Sequence, residues 1–149
     1  MSSLLQTLFG EIPDAAPFHN LQVGIDAESI PECAELLSTL PGRALLESRF
    51  TEQERSYIGD DPERFAGRWA LKEAVSKALG TGFRGIRPID IEILRESGGR
   101  PYLAPAGSVQ WPNDGHRWMW AISVSRAGDA AIAMAVAFVS EPGTCRGED

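Results

Sequence analysis

Between Arg68 and Gly82 the chain reads Arg-Trp-Ala-Leu-Lys-Glu-Ala-Val-Ser-Lys-Ala-Leu-Gly-Thr-Gly, with its only two lysines, Lys72 and Lys77, on either side of Glu73. Upstream, Gly24-Ile25-Asp26-Ala27-Glu28 sets two further carboxylates two residues apart. Three carboxylates with no His or Cys beside them suit a hard cation such as Mg²⁺, which binds one or two carboxylates together with substrate phosphates. Arg68, Lys72 and Lys77 would then face phosphate oxygens. Plainer readings stay open on spacing alone. Glu73 and Lys77 could form an i,i+4 pair worth about 0.3–0.5 kcal/mol on an exposed helix. Asp26 and Glu28 could mark a strand end running into a helix N-terminus, where the dipole favours acids. Gly80-Thr81-Gly82 could admit a ligand to the backbone or only cap a helix.

Other chemistries find little support. His19 and His116 are isolated, Cys33 and Cys145 lack a histidine in motif spacing, and neither a Gly-x-Ser-x-Gly nor a Walker sequence occurs. A net charge of −7 disfavours nucleic acid and anionic membranes as main partners, so any bound anion needs a local cationic pocket. Two cysteines do not make a disulfide framework, no run of about 20 apolar residues occurs, and no export signal is visible. A reduced, cytoplasmic setting is expected.

The elements that must position these groups follow from periodicity and caps. One domain is expected over residues 21–139, with an extension at 1–20 and a flexible polar tail at 140–149. Leu21 to Asp26 alternates as a short strand. Ser29 and Pro31 suit the start of a helix to Leu40, stopped by Pro41-Gly42. Thr51-x-x-Glu54 has capping-box form and opens a short helix to about Ile58. Asp61 and Pro62 open a long helix ending at Gly80 or Gly82. On it Ala66, Trp69, Ala70, Glu73 and Lys77 share a face, while Leu71, Ala74, Val75 and Ala78 cover the other side, which predicts a central helix. Ile89, Ile91 and Ile93 alternate as a half-buried strand, turned by Ser97-Gly98-Gly99. Trp118–Ser125 and Ala130–Val139 form strands around Arg126-Ala-Gly-Asp129. Trp111, Trp118 and Trp120 read as core or subunit contacts. Strands gathered after helices argue for an α+β fold, one long central helix packed on a largely antiparallel sheet.

Taken together, Val23-Gly-Ile-Asp26, Phe65-Ala-Gly-Arg-Trp-Ala-Leu-Lys-Glu-Ala-Val-Ser-Lys-Ala-Leu-Gly-Thr-Gly82, Asp90-Ile-Glu-Ile93, Gly99-Arg-Pro-Tyr102 and Ser123-Val-Ser125 resemble the 4′-phosphopantetheinyl transferases, particularly the small holo-acyl-carrier-protein synthase type, over about residues 21–139. The resemblance implies Mg-dependent transfer of 4′-phosphopantetheine from coenzyme A to a serine of an acyl or peptidyl carrier protein, releasing adenosine 3′,5′-bisphosphate. It implies that Asp26 and Glu73 hold Mg²⁺ and that Glu73, directly or through water, is the base for the serine hydroxyl; Glu28 departs from the small type toward the pattern of the larger surfactin-type enzymes, a third carboxylate in place of a metal-bound water. Lys77 would contact phosphate. Arg68, Lys72, Gly80, Gly82, Arg100, Pro101, Ser125 and Arg126 complete the coenzyme A set. It further implies a homotrimer with sites at subunit boundaries and a place in fatty acid, polyketide or nonribosomal peptide synthesis.

Two departures bear on substrates. Arg126 stands where the family usually has His, and an arginine can grip the coenzyme's 3′-phosphate bidentately. The first helix carries Glu32 and Glu35 where the family usually has basic residues for acidic carriers, so docking through Arg43, Arg49 or Arg55 is an alternative. The rival readings are a non-catalytic coenzyme A or nucleotide-binding oligomer and a structural subunit of a synthase.

Overall fold

The computed structural model describes residues 21–104 and 109–139. The extension at 1–20 with His19, and the tail at 140–149 with Cys145, lie outside them. Strand β1 (Leu21–Ser29) leads into helices α1 (Ile30–Leu37), α2 (Leu40–Arg49), α3 (Glu52–Ile58) and α4 (Pro62–Ala78). The short hairpin β2 (Ile93–Arg95) and β3 (Pro101–Leu103) follows, then the long hairpin β4 (Met119–Ala127) and β5 (Ala130–Phe138). The long strands form an antiparallel sheet in the order β1-β5-β4, and β2 and β3 pair antiparallel by themselves. The expected α+β architecture with a central helix on antiparallel sheet is observed.

Helix α4 lies against the sheet with eleven of its residues buried, among them Ala70, Leu71, Ala74, Val75 and Ala78. Small residues on the sheet allow a close approach. The helix-facing positions of β5 are Ala131, Ala133, Ala135 and Ala137, all buried. On β1 the facing residue is Gly24, where a Cβ would overlap the carbonyl oxygen of Ala74 and come within 2.7 Å of the Ala78 nitrogen. Backbone cannot yield as a side-chain tip can, so only glycine fits. The alternate positions point outward. Val23, Ile25, Ile132, Met134, Phe138 and Met119 are all exposed on that outer face.

The helix caps follow the sequence signals in three places. Ser29 accepts from the Glu32 N–H, the Thr51–Glu54 capping box is complete, and the Asp61 carboxylate accepts from the Glu63 and Arg64 N–H groups. Two expected elements differ. The helix expected to reach Leu40 ends at Leu37, and Pro41 opens α2 instead of stopping α1, because Thr39 caps that new helix. Gly42 is required there, since a Cβ would strike the Leu36 carbonyl. The strand expected across Ile89–Ile93 is a 3₁₀ turn at Pro88–Asp90, and β2 begins only at Ile93. The carbonyls of Pro88 and Ile91 accept from Lys72 rather than from a neighbouring strand.

Of the tryptophans, Trp111 is buried and Trp118 and Trp120 pack partly buried on the main core, as expected for packing residues. Helix α4 ends at Ala78, followed by Gly80 at φ +82° and Gly82 at φ +57°. Both glycines therefore have a conformational role whatever else they touch.

Candidate active site

The inward face of β1 carries Gly24, Asp26 and Glu28 in period two, and Glu73 is presented to them by α4. Each of Asp26, Glu28 and Glu73 offers a carboxylate oxygen within 4.8 Å of the others. Like charges this close raise one another's proton affinity. Burial first, then the Asp26 and Glu73 carboxylates, push Glu28 up to about 7. Burial and Asp26 raise Glu73, with Lys77 and Arg49 working against the rise. Lys77 donates to Asp26 Oδ1 at 2.7 Å and to the Ile25 carbonyl at 3.1 Å. The i,i+4 pair with Glu73 is thus replaced by a contact to the strand. That hydrogen bond raises the Lys77 ammonium above its ordinary value and keeps it charged.

Asp26 Oδ2 is buried and has no hydrogen-bond partner. A buried carboxylate oxygen without a partner calls for a cation or a proton donor, and with Glu28 and Glu73 ionised beside it a cation is the partner that relieves all three charges. Three oxygen donors with no nitrogen or sulfur among them match a hard divalent cation of the Mg²⁺, Mn²⁺ and Ca²⁺ group rather than zinc or copper. The residues present therefore fit the magnesium ion that the sequence led us to expect.

Lys72 does not join this group. Its ammonium is fully buried on the opposite side of α4 and donates to Glu54 Oε2 at 2.8 Å, Pro88 O at 2.8 Å and Ile91 O at 2.7 Å. Its three protons are spent, so the expected phosphate contact is corrected to a structural one. Burial pulls Lys72 below its ordinary value while Glu54 opposes the change. The Glu54 carboxylate also accepts from the Thr51 and Ile93 N–H groups, tying α3, α4 and β2 together. Sequence reading found the cap in Glu54 but not this pair, whose partners are 18 residues apart.

Two clefts hold most of the remaining candidates. One of about 730 Å³ is lined by Lys77, Gly80, Thr81, Gly82 and Arg84 at the C-terminal end of α4. The other, about 300 Å³, is lined by Tyr57, Arg68, Ser125 and Arg126. Arg68 is buried beneath Tyr57, its guanidinium 4.3 Å from the ring centre, and its Nε has no partner. Burial lowers its proton affinity. Arg126 donates to Glu63 Oε2 at 2.6 Å and to the Gly128 carbonyl at 3.0 Å. Strand alternation turns Arg126 toward α4 but turns Ser125 to the outer face beside Ile132. Arg100 and Pro101 sit on the β2–β3 hairpin and line neither cleft. A third hollow, about 150 Å³, is walled by Leu36, Leu45, Phe65 and Trp69, with Glu28, Glu32 and Arg49 at its edge. Cys33 lies in it, buried, its thiol pushed up to about 11 by burial.

Comparison with known proteins bears on this arrangement. The 4′-phosphopantetheinyl transferase superfamily profile matches residues 22–136. A holo-[acyl-carrier-protein] synthase of Gloeobacter violaceus is 38% identical over 117 residues, covering 75% of this chain and 88% of that protein. The Chronobacterium ammoniagenes ACPS–CoA complex superposes with a TM-score of 0.66 at 30% identity, covering 81% of this chain and 98% of that one. The Helicobacter pylori holo-[acyl-carrier-protein] synthase in complex with coenzyme A gives a TM-score of 0.66 at 26% identity, with 77% and 98% covered.

Proposed function

The chain belongs to the 4′-phosphopantetheinyl transferase superfamily, and from that membership we infer that it is a holo-[acyl-carrier-protein] synthase, transferring 4′-phosphopantetheine from coenzyme A to a serine of a carrier protein. The observation that carries the chemistry is the convergence of Asp26, Glu28 and Glu73, with Asp26 Oδ2 left without a partner. Asp26, Glu28 and Glu73 would hold Mg²⁺. The chemistry magnesium supplies at such a set is neutralisation of the charge that builds on the diphosphate as it becomes the leaving group.

The chain's own residues account for the rest. Lys77 spends two hydrogen bonds on Asp26 and Ile25, which leaves one ammonium proton for a phosphate oxygen in the cleft at Gly80–Gly82. Glu73, its proton affinity raised, takes the proton of the incoming serine directly or through a water. The serine oxygen bonds to the phosphorus that bears the pantetheine arm, and the bond to adenosine 3′,5′-bisphosphate breaks. Glu63, which holds Arg126, lies about 21 Å along α4 from Lys77, so Arg126 and Arg68 would receive the 3′-phosphate of a coenzyme bound at a neighbouring copy, with Arg126 exchanging Glu63 for it.

The outward apolar face of the sheet supports a homotrimeric assembly. Val23, Ile25, Met134 and Phe138 are between 45% and 59% exposed. Aligned across neighbouring strands they make a patch of the kind that marks an interface. Ser125 lies on that same face, as a residue serving a site shared between copies would.

Mass spectrometry of apo-carrier proteins incubated with the protein, coenzyme A and Mg²⁺ tests the transfer. Modified carrier is expected, and Glu73→Gln should abolish it with the fold retained. No phosphopantetheine on any of a panel of carriers, or near-normal rates for the Gln variant, would refute the reading. Light scattering should give three copies per particle; a monomer contradicts the shared site.

A further inference from the structure

We propose that Asn113 is a positioning residue for coenzyme A, bracing from outside the cleft the Gly80–Gly82 turn against which the coenzyme's phosphates lie. The inference rests on the transfer reading above. That turn follows α4 directly and has glycine at two of its three positions, both at positive φ. Glycine gives the backbone the freedom to turn there and equally the freedom to leave the turn. A cleft wall built in this way needs support from elsewhere in the fold.

The support comes from the 3₁₀ segment Pro112–Arg117. Asn113 Nδ2 donates to the Leu79 carbonyl at 2.9 Å. Leu79 is the C-cap of α4, where carbonyls have no partner within the helix. Gly115 packs on the Leu79 side chain, which an added Cβ would overlap. Pro112 lies against Gly85 at the far end of the cleft wall, where a Cβ would come within 2.8 Å of the proline ring. The wall is thus held at both ends, at Leu79 and at Gly85, by three neighbouring residues.

In this loop Asn113 and Asp114 both take φ +56°, and among the described residues they alone, glycines apart, have positive φ. Asn and Asp enter the left-handed region as single residues, and two in succession persist only where the surroundings over-determine them. Here the Trp120 indole and the Trp118 N–H both donate to the Gly115 carbonyl, at 2.8 and 3.2 Å. Trp120 also packs edge-on to the buried Trp111, with ring centres 6.1 Å apart. The indoles fix the loop to β4, and the strained loop in turn holds the end of α4.

The test titrates coenzyme A, in the presence of Mg²⁺, into wild type, Asn113→Gly, Asn113→Asp and Thr39→Ala by calorimetry, and measures transfer by each. Asn113→Gly deletes the amide yet accepts φ +56° without strain. It should raise the Kd for coenzyme A about fivefold, the loss expected of one hydrogen bond, with KM for the carrier within about twofold of wild type. Asn113→Asp keeps the shape but turns an oxygen toward the Leu79 carbonyl, so it should weaken coenzyme A further. Hydrogen exchange at the Thr81 and Gly82 amides should quicken in both. Thr39→Ala removes the cap of α2, outside the cleft, and should lower the Tm without moving that Kd. Unchanged coenzyme affinity in both Asn113 variants, or an equal loss in Thr39→Ala, overturns the assignment and leaves the transfer reading intact. A wild-type chain that binds coenzyme A but transfers nothing overturns the transfer reading alone, and one that does neither overturns both.

Discussion

Replacing Lys72 by Met separates two roles for a lysine that adjoins Glu73, the proposed base. Methionine fills similar volume but gives up the hydrogen bonds to Glu54, Pro88 O and Ile91 O, leaving the Glu54 charge buried against Thr51 N and Ile93 N alone. Breaking a buried pair by removing one partner costs about 3–5 kcal/mol. At about 2–4 °C per kcal/mol for a domain of this size, the Tm should fall by roughly 6–20 °C. Adding Glu54→Gln removes the stranded charge while keeping an acceptor for Ile93 N, so the double variant should recover part of the loss. Urea unfolding of the variants measures the cost, and transfer assayed below the lowered Tm measures function. KM for coenzyme A should then stay near normal. A variant within about 1 kcal/mol of wild type whose KM for coenzyme A rises steeply would falsify the structural assignment, because only a phosphate contact behaves in that way.

Three further outcomes follow from the geometry. Gly24→Ala should cost about 1–3 kcal/mol or more, because the added carbon meets backbone of α4, and it should weaken Mg²⁺ binding by moving Asp26 away from Glu73; calorimetric titration at wild-type strength refutes this. Arg126→Ala should raise KM for coenzyme A more than for dephospho-coenzyme A, and Glu63→Gln, which frees Arg126, should lower it; equal effects on both coenzymes dismiss the 3′-phosphate role. Glu28 keeps its proton in the folded chain up to about 7 against an ordinary 4.5, so without metal its contribution to stability declines as pH rises through that window, by about 1 kcal/mol after solvent screening. Magnesium requires the ionised form, so its affinity should fall as pH drops below 7, and Glu28→Gln should flatten that dependence; an unaltered profile counts against Glu28 as a ligand.

What was legible in the chain were the features written in local chemistry. Asp61 and Pro62 mark the start of α4, Thr51 and Glu54 mark α3, and period-two alternation marks β4 and β5. Asp26, Glu28 and Glu73 were identified as candidates from residue type and family pattern, and the fold brings their oxygens together. Lys72 and Lys77 looked equivalent because spacing alone does not say which side of a helix meets solvent. Only the position of Glu54 on α3 makes Lys72 a core residue, while Ile25 and Asp26 make Lys77 part of the site. The Ile89–Ile93 alternation misled for a related reason, since the carbonyls that a strand would pair with a neighbour are taken by Lys72. Pro41 misled because proline both ends and begins helices, and the Thr39 hydroxyl accepting from Gly42 N–H decides which.

The pairing of β1 has a kinetic consequence. Among the described strands its ladder is supplied only by β5, with Leu21 opposite Phe138 and Ser29 opposite Ala130. Asp26 and Glu28 leave the ribosome before α4 and well before the strand that sets their register. Contacts of such sequence separation form slowly, after the local helices. A chain stalled before Ala130 would hold α4 and Glu73 but lack the partner that orders Asp26 and Glu28 against them. Such a nascent chain could not yet gather the three carboxylates around a cation.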